Sequence, residues 1–313
     1  MLGSAFVEQY GRKGLPAWEA AAIALAREGK LTPWPFVDLV LTEGGDTAVL
    51  KVASDMLSVG PFEDYVRLPL TPQTAQSIAN LSGALLVTPW LEYQIWRAAK
   101  RQLPPTAMVP NQGANLEQYA AHSKIIDDMI KRAEGTQTVT PGLLTSGIKK
   151  DVVVANFYKP GKVLIWGWRR PPPAPDVFDD GKPMGDLTRQ PIQPKSNVHG
   201  DFYVDYSHGI RLVGPTAIVN GQPMDTASLY THPTLWRLVN RDAGGPIKLP
   251  RYPSSVPVAN VNRPASSGPL GPAAIDEVYR PPADNGEHDA PHTPSISEHA
   301  LDMIAKQRRG EED

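Results

Sequence analysis

The spacing of apolar and polar positions changes period along this chain, and those changes define its elements. Residues 16–30 form an alanine-rich stretch with helical spacing, with Pro16 suited to a first turn and Gly29 near the end. Residues 35–42 and 47–53 are β-rich runs separated by Glu43-Gly44-Gly45-Asp46, whose glycines supply the positive φ of a hairpin turn. Residues 65–70 suit a third short strand. Thr71-Pro72 and Thr88-Pro89 each place an N-cap hydroxyl before a proline whose missing N–H is not needed there. The first of these helices is expected to end near Gly83 and the second before Pro104-Pro105, with Leu91, Ile95, Ala98 and Ala99 on one face. A longer helix is predicted over 116–134, with apolar Leu116, Tyr119, Ala120, Ile126 and Ile130, an Asn115/Gln118 capping box and Gly135 as its stop.

From about residue 140 the pattern becomes strand-like: 152–157, 162–168, 202–206, 210–213 and 216–219, the last followed by an Asn220-Gly221 turn. A loop dense in Pro, Asp and Gly covers 170–194, and 226–230 and 233–240 read as short helices. Helices and strands do not alternate regularly, which argues against a doubly wound parallel sheet and for an α+β fold. The expected organisation is a helical and hairpin segment (1–139), a mostly antiparallel β-rich domain (140–245) and an extended Pro-rich tail (246–313). The tail ends in a short amphipathic helix over 295–309, with a Ser295/Glu298 capping box and an Ile296, Ala300, Leu301 and Ile304 stripe suited to docking on a partner.

Composition narrows the function. With 33 prolines in 313 residues the chain must contain long irregular stretches. No cysteine is present, which excludes disulfides, thiolate-ligated zinc and a cysteine nucleophile. A net charge of −2 shows no attraction to nucleic acid or membrane surfaces. Residues 1–10 lack the basic and apolar regions of a signal peptide, and no run reaches the ~18 apolar residues of a bilayer span, so a soluble protein of unassigned compartment is expected.

The densest chemistry lies in 196–212. His199, Asp205 and His208 are zinc-ligand types, and a turn near 207–209 would bring His208 back toward His199. Alternatively the histidines bond loops and Asp205 pairs with Arg211. Asp205, Ser207, His208 and Arg211 are the catalytic candidates. Ser207 would need a bend to meet a histidine base and has no Gly-x-Ser-x-Gly elbow, while Arg211 would hold a substrate carboxylate. Trp166 and Trp168 flank Gly167 and, with Tyr203 and Arg211, are candidates for binding sugar rings or a partner; core packing is the alternative for the tryptophans. Lys149, Lys150 and Asp151 enter a strand from which Asp151 can reach the same place.

Two resemblances follow from these residues. His199-Gly200 and Ser207-His208-Gly209-Ile210-Arg211 resemble the signature of the L,D-transpeptidases, which cross-link peptidoglycan, without that family's catalytic cysteine. Gly147–Val153, Val163–Pro171, Pro191-Ile192-Gln193-Pro194 and Tyr203–Val213 together resemble a bacterial family of no established activity, whose members carry histidine where this chain has Ile148 and Arg169. The first resemblance implies a peptidoglycan-directed, hydrolase-like protein, active or inactive, and the ligand types of His199, Asp205 and His208 make zinc the metal such a site would take; the second resemblance, with Ile148 and Arg169 in place of histidine, implies a structural or binding descendant. The alternative is a non-catalytic component of a bacterial or phage assembly, held to its neighbours by the tail.

Overall fold

The N-caps fix where the helices begin. The computed structural model describes residues 1–109, 115–186, 188–254 and 256–259. Its helices are α1 (Gly3–Tyr10), α2 (Leu15–Arg27), α3 (Pro72–Leu81), α4 (Pro89–Ala98), α5 (Leu116–Glu134) and α6 (Thr226–Thr231). The Thr71, Thr88 and Asn115 side chains accept the N–H groups of Thr74, Leu91 and Gln118, as their spacing predicts. Gly135 closes α5 in the left-handed conformation at φ 65°. Helix α1 was not expected; its Phe6 is buried, and Gly3 sits so close to Tyr65 that a Cβ would lie 2.8 Å from that backbone. The buried Glu19 carboxylate of α2 accepts both the N–H (2.6 Å) and the hydroxyl (2.9 Å) of Thr71, tying α2 to the start of α3.

The hairpin forms where it is predicted: Phe36–Glu43 pairs antiparallel with Asp46–Ala53, and Leu39, Leu41, Leu50 and Val52 point inward. Its second strand then pairs with Leu212–Val219, with Val52 opposite Val213 and Leu50 opposite Ala217. Leu85–Leu86 and Gln222–Asp225 complete this five-stranded sheet. Segments 1–139 and 140–245 therefore share one sheet and one core instead of lying side by side.

A second sheet runs in the order Gln193–Ser196, Ile165–Gly167, Lys150–Val152, His208–Gly209. Its strands are shorter than the sequence pattern suggests because the partners change within each run: Lys150–Val152 is laddered, after which Val153 bonds Leu164 and Val154 bonds Val87. Two small pairs, Ser58–Val59 with Val66–Arg67 and Arg101–Gln102 with Thr145–Ser146, join the helices to the sheets. The fold is α+β with mostly antiparallel sheets.

The tail begins later than expected. Ile247, Tyr252 and Val256 are buried, and the Tyr252 hydroxyl donates to Val153 O (2.8 Å) while accepting Leu164 N–H (3.0 Å). Arg251 donates to Asn80 Oδ1 in the last turn of α3 and to Gly83 O and Ala84 O beyond its end. Residues 246–254 and 256–259 are thus a strap on the body and not a linker. The helix expected over 295–309 lies outside the described residues. Among the described residues no helix is long and apolar enough to cross a membrane.

Candidate functional site

Two short strands running in parallel build the site. His208 lies opposite Lys150 and Gly209 opposite Asp151, and Lys150 N–H donates to Ser207 O at 2.7 Å. Gly209 permits the close approach, since a Cβ there would come within 2.6 Å of Lys149 Cβ and 2.8 Å of Met56 Sδ. The residues before it are not the strand predicted over 202–206. Asp205 folds them into a turn, its Oδ1 accepting Ser207 N–H at 2.7 Å and the Ser207 hydroxyl, while His208 N–H reaches Asp205 O at 3.2 Å.

That turn sets His208 beneath Asp205. The His208 ring is wholly buried, neither of its nitrogens has a hydrogen-bond partner, and Nε2 lies 3.8 Å from Asp205 Oδ2. Burial pushes the imidazole down to about 4 against the pull of Asp205, and Lys150, His199 and Lys149 push the same way as burial. Asp205 is held well below the usual carboxylate range: burial opposes this, but His208, Lys150 and the two Ser207 hydrogen bonds outweigh it. At neutral pH the pair is therefore an ionised carboxylate beside a neutral imidazole, and an added proton resides on His208.

Aromatic rings and a lysine form the rim. The Tyr203 hydroxyl donates to Asp205 Oδ2 at 3.2 Å, and burial together with Asp205 pushes this phenol up to about 12, so it stays protonated. Its ring stacks on exposed His199 (4.0 Å between centroids, 12° between planes) and meets His208 edge-on at 5.7 Å. Lys150 Nζ lies 4.8 Å from the centre of the Trp168 ring. Trp168 itself has φ 61°, a left-handed conformation that is strained for a bulky residue.

Behind the rim is a second titratable pair. Lys149 Nζ donates to His122 Nδ1 (2.9 Å) and to Tyr206 O, and His122 Nε2 faces Thr106 O at 2.9 Å, which assigns the proton to Nε2. Burial and then Arg67 bring Lys149 down to about 7, against Asp205, Asp55 and Asp127. Burial, then Lys149, keeps His122 neutral.

The structure brings Asp205, Ser207, His208, Tyr203 and His199 together and places the other candidates elsewhere. Ser207 is buried and bonded to Asp205 instead of a histidine. Arg211 does not pair with Asp205 or open to a substrate. It is buried, donates to Ala53 O (2.7 Å) and Thr145 O (2.6 Å), and has Nε 4.0 Å from Asp151 Oδ1. Asp151 is buried on that side, its carboxyl pushed up by burial against Arg211. Trp166 is fully buried against Phe178 and Trp168 nearly so, so neither offers an exposed face for a sugar. His199 lies against Tyr203, and among the described residues no group of three or more His, Cys, Asp or Glu is placed to hold a metal ion.

The two positions that resemble histidine sites are structural here. Arg169 is buried in an ion pair with Glu92 (2.9 Å) and donates to Val177 O and Phe178 O; Ile148 packs in a small core with Trp34, Met56 and Leu103. Sequence reasoning missed His122. Its only signal was its place on the α5 stripe of Tyr119, His122, Ile126 and Ile130, where a core residue is the simplest expectation. Comparison with known proteins adds nothing to the site: no family model matches the chain, and neither the curated proteins nor the solved structures yield a match.

Proposed function

We propose that this chain is a hydrolase-like protein directed at the amides of bacterial peptidoglycan, with His208 and Asp205 as its acid–base pair. One observation carries the chemistry: a fully buried imidazole, neither of whose ring nitrogens has a hydrogen-bond partner, lies 3.8 Å from the Asp205 carboxylate, and burial pushes its proton affinity down. Leaving a buried polar group unbonded costs about 1–3 kcal/mol, and such groups call for a functional explanation. A neutral His208 can take the proton of an attacking water, and Asp205 would stabilise the imidazolium that forms. The Lys150 ammonium at the rim is a donor for the developing oxyanion. Tyr203 must turn aside to admit water, because His208 has no exposed surface. The choice of peptidoglycan rests on the resemblance of His199-Gly200 and Ser207–Arg211 to the L,D-transpeptidase signature.

Zinc would need His199 to leave the Tyr203 ring and join Asp205 and His208, so no step is routed through a metal. The test is release of soluble fragments from purified peptidoglycan with no metal added. Wild-type activity that is lost in His208→Ala and Asp205→Asn supports the proposal; an inactive wild type, or an active His208→Ala variant, overturns it.

A second reading is a non-catalytic assembly component docking through residues beyond 259. The burial of Ser207, His208 and Arg211 favours it, since all three then act as internal struts. Under that reading His208→Leu would stabilise the fold and leave partner binding intact.

A further inference from the structure

We infer that Lys149 is a positioning residue for the Asp205–His208 pair, fastening the turn between them to helix α5 through His122. This deepens the hydrolase reading above and, where it concerns catalysis, rests on it.

The turn is held at its two inner carbonyls. His208 N–H bonds back to Asp205 O (3.2 Å), which puts Tyr206 and Ser207 at the centre of a β-turn. Ser207 O accepts the backbone N–H of Lys150 (2.7 Å), and Tyr206 O accepts Lys149 Nζ. Two consecutive lysines thus hold both carbonyls, one by its backbone and the other by the tip of its side chain. Lys149 is anchored in its turn. Its Nζ also donates to His122 Nδ1 (2.9 Å), and His122 Nε2 bonds Thr106 O (2.9 Å), so the imidazole cannot rotate without losing two bonds. The Tyr206 ring meets His122 edge-on at 4.9 Å, and its hydroxyl accepts Met108 N–H and donates to Met108 O, both at 2.8 Å.

An ammonium is a costly strut in the interior. Lys149 is 1% exposed; Asp205, Asp55 and Asp127 attract its charge and Arg67 repels it. An unbranched apolar side chain would fill the same space without that cost, but it could not donate to Tyr206 O or to a polar group on α5. What the lysine adds is control of the turn, and the turn sets the 3.8 Å between Asp205 Oδ2 and His208 Nε2. The Ser207 and Tyr203 hydroxyls steady the Asp205 carboxylate, whereas Lys149 steadies the backbone that carries it. An acid–base pair works only when such supports hold it within roughly 0.5 Å of the productive geometry.

The test reads the His208 ring nitrogens of the full chain by ¹⁵N NMR near neutral pH and follows peptidoglycan cleavage in parallel. The wild type is expected to hold one tautomer, with the proton on Nε2 facing Asp205. Lys149→Met should mix the two tautomers and lower kcat about tenfold with KM unchanged. His122→Leu should act in the same way, and His122→Asn, which keeps an acceptor where Nδ1 stood, should restore the single tautomer. A mixture already present in the wild type overturns the inference. So does a Lys149→Met protein that loses stability but keeps the wild-type His208 shifts, which leaves the lysine a strut. The two proposals fail separately. A wild type that releases nothing from peptidoglycan, while Lys149→Met still mixes the tautomers, sinks the hydrolase and keeps the positioning role. Cleavage by Lys149→Met at the wild-type kcat with unchanged shifts sinks the positioning role and keeps the hydrolase.

Discussion

Lys149 Nζ lies 2.9 Å from His122 Nδ1 in the interior, so two groups that ordinarily carry protons share one hydrogen bond away from water. With Lys149 near 7 folded and 10.5 unfolded, the unfolded chain holds more protons between those values, and stability rises with pH across that window. The expected gain is on the order of 3 kcal/mol between pH 7 and 9.5. Denaturant unfolding at several pH values should show this slope in the wild type and lose it in Lys149→Met, where an apolar side chain of similar length fills the space.

His208 produces a similar slope at lower pH. Its folded value of about 4 lies below the ordinary 6.5, so its contribution is complete above 6.5 and declines as pH falls toward 4. His122 acts in the same direction, and the raised Asp151 carboxyl acts against both. The difference between wild type and His208→Gln therefore isolates His208. It should change by up to about 3 kcal/mol between pH 6.5 and 4 in equilibrium unfolding, and parallel curves for the two proteins would contradict the buried, neutral assignment.

Arg67 is a fully buried polar joint between two acidic partners. It is buried, holds Asp55 through Nε (2.9 Å) and a second nitrogen (2.7 Å), and reaches Asp127 of α5 at 2.7 Å. Removing one partner leaves the other's charge buried and uncompensated, so Arg67→Ala should destabilise by about 3–5 kcal/mol. Adding Asp55→Asn should recover part of that loss, measured as a double-mutant cycle in denaturant.

The strap predicts where the chain can be cut. A chain ending at residue 259 should melt like the full-length protein, whereas one ending at 245 should lose several degrees, because Ile247, Arg251 and Tyr252 leave the core. Tyr252→Phe alone should lose about 1–3 kcal/mol by stranding Leu164 N–H and Val153 O.

The elements readable from the sequence are those whose cause is local. Thr71, Thr88, Asn115 and Gly135 act within one turn, and Glu43-Gly44-Gly45-Asp46 folds on itself, so hairpin and helices appear where their residues announce them. The second sheet was only partly legible because strands of two to four residues carry no period. Their partners, Lys150 and His208, are separated by a loop-rich stretch that the pattern does not bridge. Of the site, Asp205 and His208 were legible as members of a dense run of ionisable residues, but their approach to each other was not, because it depends on the turn that Asp205 makes with Ser207. Lys150 and His122 were not, since each depends on a contact made across the fold. The tryptophans escaped for a backbone reason: Trp168 leaves its strand at φ 61° and turns to Lys150, while Trp166 packs on Phe178.

The pairing of Leu212–Val219 with Asp46–Ala53 also orders events during synthesis. The N-terminal hairpin is complete once residue 53 has left the ribosome, but the neighbour of its second strand is more than 150 residues away. Until that neighbour emerges, Ala48, Leu50 and Val52 belong to an open edge that other nascent chains can meet. Slowing elongation between residues 53 and 212 should therefore lower the soluble yield of this protein more than slowing it after residue 225.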